Sequence, residues 1–174
     1  MNARIAASAL LVSLLAAPAL AQAPRPAPTP APARPAPPAD PLTEANLSRD
    51  ALRAAFQAGK LATNLDPAGN LLVRIGTTNV NVLTGKGAIR LLASFAFAPR
   101  ATYQEKLDLA NRINDSYIVV RASVPADRPG DLMLDYYVML GTGVSRANLV
   151  GFAQRFVEIV TEAVATLDSE HLLQ

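Results

Sequence analysis

The side chains that commonly do chemistry are few in this sequence and poorly spaced for it. There is no cysteine, and the single histidine, His171, follows the last helical stretch, where it reads as a frayed terminal residue rather than a metal ligand or base. Ser145 stands beside Gly141-Thr142-Gly143 as a nucleophile might, but no histidine is placed to activate it, so helix capping is the better assignment. The glycine pairs are turns: Gly85-Lys86-Gly87 lacks the frame of a phosphate loop, and Arg146 stands where a G-x-G-x-x-G loop needs its third glycine. Asp108, Asp115, Asp131 and Asp135 supply carboxylates for acid-base work, yet they read as helix surface, helix end and strand face. No catalytic, cofactor or metal site is expected. Asn111 and Asn114 form a pair at a helix end; such side chains satisfy the helix terminus and the strand after it, with ligand binding as the alternative.

The elements around these residues are clearest from Thr102 to Leu167. Thr102 and Glu105 match the capping box, and Leu107, Ala110 and Ile113 continue at helical spacing, predicting a helix from about Tyr103 to Asn114. Tyr117 to Val124 alternates with period two, Pro125 to Gly130 turns, and Asp131 to Leu140 alternates again, which is an antiparallel hairpin. Facing Val124 with Leu132 puts Ile118, Val120 and Ala122 on the core side with Leu134, Tyr136 and Val138, and sets Arg121 across from Asp135 on the other side. After Gly143, Leu149, Phe152, Phe156, Val160, Ala163 and Leu167 form the apolar stripe of a final helix. Beside that stripe Val150, Val157 and Val164 recur every seven residues. They predict an apolar strip at the edge of the packed face, half in water and suited to a partner.

Residues 1–21 have the form of a cleaved signal peptide: Arg4, an apolar run from Ile5 to Leu15, a break at Pro18 and the small-x-small pattern Ala19-Leu20-Ala21. A periplasmic or secreted location follows, with no stable membrane anchor after cleavage. Residues 22–41 are almost wholly Pro and Ala, an extended, disordered linker able to reach roughly 60 Å at about 3.1 Å per residue. Residues 42–174 then form one domain. The net charge of +2 comes from Arg4, Arg25 and Arg34 less Asp40, so that domain is balanced; with no clustered basic residues it has no footprint for nucleic acid.

Within the domain, Ser48 or Thr43 caps a first helix with Leu52, Ala55 and Phe56 on one face, and Gly59 suits the positive-φ position after it. Leu61 to Leu65 and Leu71 to Ile75 flank the turn Asp66-Pro67-Ala68-Gly69, and strands follow at Asn79 to Thr84 and Ala88 to Ala98. The order is α-β-β-β-β-α-β-β-α. Short turns between neighbouring strands require antiparallel pairing, so the fold class is α+β, an antiparallel sheet with helices packed on one face.

At "LANRINDSYIVVRASV", "DLMLDYYVML" and "GTGVSRANLVGFAQRFVEIV" the chain resembles the YbjN domain family, described as bacterial sensory transduction regulators. The matching features are the Asn111 and Asn114 helix end, the hairpin and the glycine-led helix, with Ile113 where the family usually carries an aromatic. The resemblance implies a fold like that of type III secretion chaperones, binding to other polypeptides, and no catalytic residues. Two functions are therefore expected to compete. One is a non-catalytic exported module that binds a polypeptide partner or forms a homodimer, in a regulatory or chaperone-like role. The other is a carboxylate-based periplasmic hydrolase.

Overall fold

The computed structural model describes residues 40–174. The expected signal peptide, residues 1–21, and nearly all of the expected Pro/Ala-rich linker, residues 22–41, lie outside the described residues. Among the described residues three helices and six strands run in the expected order: α1 (Arg49–Ala58), β1 (Ala62–Leu65), β2 (Leu71–Ile75), β3 (Thr78–Gly85), β4 (Ala88–Ala96), α2 (Tyr103–Ser116), β5 (Arg121–Ser123), β6 (Asp131–Met139) and α3 (Arg146–Leu167). The strands form one antiparallel sheet in the order β1-β2-β3-β4-β6-β5. Among the described residues no helix is long and apolar enough to cross a membrane.

The helices begin where the sequence supplies caps. Ser48 and Ser145 accept from the amides of Ala51 and Asn148, and Thr102 with Glu105 closes a reciprocal capping box. Hydrogen bonds from Thr102, first its hydroxyl and then its amide, hold the Glu105 carboxyl below its ordinary range. The core lies between the helices and one sheet face, where Val73, Val80, Ile89, Leu91, Leu132 and Leu134 meet Phe56, Leu109, Ile113, Leu149, Phe156 and Val160, all but inaccessible to water. The other face carries no helix among the described residues. There Arg90 and Arg121 converge on Asp135, donating to Oδ2 at 2.7 and 3.0 Å, and Tyr137 lies beneath Arg90. Asp135 is buried by these long neighbours, and its hydrogen bond keeps the Arg121 guanidinium firmly charged. The expected pairing of Arg121 with Asp135 is the observed register.

Several expectations need correction. The strand expected from Tyr117 reduces to Arg121–Ser123, and Ile118 is fully exposed instead of facing the core. Phe152 is 38% exposed: the buried arc of α3 runs through Leu149, Ala153, Phe156, Val160 and Ala163, leaving Phe152 at its margin with its ring 6.2 Å from Tyr136. Val150 and Val157, expected half in water, are 9% and 8% exposed, while Val164 is half-buried. A helical wheel sees one packed face, whereas α3 also packs against α1. Val150 closes on Gly59, where a Cβ would come within 2.8 Å of both valine methyls. Gly59 is accordingly a packing glycine with φ −78°, and Lys60 takes the positive φ of 61°. Nor is the segment around His171 frayed. Asp168 accepts from the amides of Leu172 and Leu173, Leu172 is buried, and Leu173 bridges Phe97, so residues 172–174 lie along the end of β4.

Candidate functional site

The four carboxylates available for acid-base work are engaged or isolated. Asp135 is held by two guanidinium groups, Asp131 lies 4.0 Å from Arg128, Asp108 accepts from Gln104 at 2.8 Å, and Asp115 is exposed in the last turn of α2. Ser145 caps α3, and His171 is exposed at φ 52°. These residues do not come together. Among the described residues no group of three His, Asp or Glu side chains could hold a metal ion. The valines separate as well. Val150 lines a cleft of about 430 Å³ between α1 and α3 with Ala55, Ala58, Gly59 and Ala147, while Val157 lines a shallow groove beside Ile75 and Gly76.

What the structure does bring into contrast is the two edges of the sheet. At the β5 edge, antiparallel pairing turns the backbone groups of Ala122 away from β6, where they need other partners. Asn114 supplies both. Its Oδ1 accepts from the Ala122 amide at 2.7 Å, and its Nδ2 donates to the Ala122 carbonyl at 3.0 Å. A planar side-chain amide reproduces there what a neighbouring strand would offer. Asn111 is exposed one turn earlier and takes no part in that contact. The asparagine pair thus divides, and its second member closes an edge.

At the β1 edge no side chain among the described residues does this. The Asp66 amide donates to the Asn70 carbonyl at 3.0 Å, which fixes the phase of the β1–β2 ladder: Asn64 and Ala62 bond towards β2, and Thr63 and Leu65 present their N–H and C=O groups outwards. Leu61 donates its amide to the Phe56 carbonyl, so its carbonyl alone is directed outwards. Gln57 reaches only the Thr63 hydroxyl, at 3.2 Å. The strand is Ala-Thr-Asn-Leu, without the lysine, proline or bulge by which edge strands are usually blunted, and Leu65 is 43% exposed. The turn that follows it is tied by hydrogen bonds nonetheless. The Asp66 carboxylate accepts from the amide and side chain of Asn70 at 2.8 and 2.9 Å, the side-chain bond being the main reason its acid is stronger than usual. Gly69 completes the turn at φ 82°. Sequence patterning located the strand; nothing in it told which edge would be left without a partner.

Comparison with known proteins agrees with this architecture. The YbjN family profile, "Putative bacterial sensory transduction regulator", matches residues 48–169. Among curated proteins none matches. The crystal structure of YbjN from E. coli, described as "a putative transcription regulator", superposes with a TM-score of 0.60 at 17% identity, covering 74% of this chain and 96% of that one. An uncharacterized protein from Methanothermobacter thermautotrophicus gives 0.51 at 7% identity, over 72% and 99% of the two chains. The Yersinia pestis type III secretion chaperone SycH, solved in complex with a fragment of YscM2, gives 0.44 at 13% identity over 67% and 97%. These likenesses speak for the fold, the last too loosely to carry an argument.

Proposed function

Because this chain belongs to the YbjN family, we propose that it is a non-catalytic regulatory module, exported to the periplasm or beyond, that binds polypeptide along the free edge of its sheet. The observation that carries this reading is the difference between the edges: Ala122 has its backbone partners in Asn114, and the outward groups of Thr63 and Leu65 have none among the described residues. An extended polypeptide is the ligand that fits, since it alone supplies alternating donors and acceptors at strand spacing. Export is supported by the signal-like residues 1–21, and the Pro/Ala-rich stretch after them suits a spacer that holds the domain away from its surroundings. Nucleic acid fits less well. Two of the arginines on the bare sheet face share one carboxylate, and the domain is balanced in charge. The carboxylate-based hydrolase finds no support in the acids described above.

Thr63→Pro tests the reading. It deletes one outward N–H and leaves the bonds to β2 intact, because proline is tolerated on an edge where its nitrogen faces outwards. Polypeptides recovered with the wild-type protein from a periplasmic fraction should be lost with this variant, and their addition should shift the Thr63 and Leu65 amide resonances. Unchanged recovery by a folded variant, with shifts elsewhere on the domain, would contradict the proposal.

A further inference from the structure

We propose that the polypeptide on β1 is β1 of a second copy of this chain, paired antiparallel across a two-fold axis at Thr63, so that two six-stranded sheets join into one. This rests on β1 being the docking edge and names its occupant. An isologous contact needs a strand that is complementary to itself. The outward groups set the possible registers, since outward residues must meet outward residues. A two-fold axis at Thr63 places Thr63 opposite Thr63 and Leu61 opposite Leu65 of the second copy. Thr63 exchanges both its bonds, and each free Leu61 carbonyl receives a Leu65 amide. An axis at Asn64 instead places Thr63 opposite Leu65.

Charge and apolar surface choose between them. Lys60 and Asp66 bracket β1, and neither makes an ion pair among the described residues. With the axis at Thr63, each Lys60 stands across from Asp66 of the second copy, so the contact gains two opposite-charge pairs. With the axis at Asn64, Asp66 meets Ala62, and Lys60 falls towards the uncharged turn at Ala68, so no opposite charges face each other. The first register also lays the 43% exposed Leu65 against the half-buried Leu61, covering the large apolar side chain that this edge leaves in water. Between the charges, Ala62, Thr63, Asn64 and Leu65 carry none, so no like charges meet anywhere along the strand.

The absence of cysteine gives a direct test. In the full chain, Thr63→Cys introduces a single thiol whose Cα would lie about 5.5 Å from its counterpart, within disulfide reach. Mild oxidation should convert Thr63→Cys to a covalent dimer far faster than Asn64→Cys or the remote, exposed Ser169→Cys. Light scattering should show a wild-type dimer that Lys60→Glu dissociates. A Thr63→Cys chain that crosslinks no faster than Ser169→Cys overturns the proposal, and faster crosslinking of Asn64→Cys overturns the register. A wild-type protein that stays monomeric, while an added extended polypeptide still protects the Thr63 and Leu65 amides, rejects the second copy and leaves the binding edge standing. Loss of that protection as well removes both.

Discussion

The two edges of the sheet are short strands of similar length, three residues at β5 and four at β1, and they are finished by different means. At β5 a helix ends just before the strand and leaves Asn114 where its amide plane can meet both backbone groups of Ala122. At β1 the preceding helix gives way to Gly59 and Lys60, and the close approach of Gly59 to Val150 sets its path; Gln57 reaches the Thr63 hydroxyl, and among the described residues no side chain meets the outward backbone of the strand. A polar residue at a helix end can therefore decide whether an edge is finished inside the chain or left for another one. In a small antiparallel sheet that choice settles where association is possible.

Both edges hang on the same core, which gives the first and largest test. Phe156 is 1% exposed, and Phe156→Ala should cost about 3–5 kcal/mol in urea unfolding. Amides at both edges should then open together, and selective loss at one of them would mean that the sheet is not one cooperative unit. Asn114→Leu should act on one edge only. Stranding the Ala122 donor and acceptor should cost about 2 kcal/mol and accelerate exchange of that amide, with β1 unaffected. Gly59→Ala should press a methyl into Val150 at a cost of about 1–2 kcal/mol, disturbing the lead into β1 and not β5; Val150→Ala in the same chain should recover most of it.

Acid should separate the edges most gently. The Asp66 carboxyl titrates below its ordinary value of 3.8 in the folded protein, so its contribution is complete above that pH and disappears as pH falls through the lowered folded value. Below pH 3.8 the β1–β2 turn should loosen first, as seen in amide exchange of Asp66 and Asn70. Ala122 rests on a side chain that does not titrate, and its protection should outlast theirs.

Much of this was legible in the sequence for local reasons. The capping box at Thr102, the Ser48 cap, the nine elements in order and the pairing of Arg121 with Asp135 all follow from residues within a few positions of one another, or from turn lengths that fix register. What escaped depends on contacts between distant segments. Ile118 looked like a core strand residue until α2 ran on to Ser116 and Asn114 took the edge at Ala122. A helical wheel puts Val157 at the edge of the packed face, half in water, because it cannot show Ile75 beside it. Leu172 and Leu173 were missed because their partners, Asp168 and the end of β4, give a short tail a place that no periodicity announces. The edge contrast belongs to this second kind: the sequence showed that Asn114 ends a helix, while its partner is a backbone that only the folded hairpin brings within reach.

Amide hydrogen exchange at three positions, followed as protein concentration rises, tests the central claim most directly. Ala122 should be protected at every concentration. Thr63 and Leu65 should exchange freely in dilute solution and become protected as chains associate or as an extended polypeptide is added. Equal, concentration-independent exchange at Thr63, Leu65 and Ala122, with no change on adding polypeptide, would show that the two edges do not differ as described.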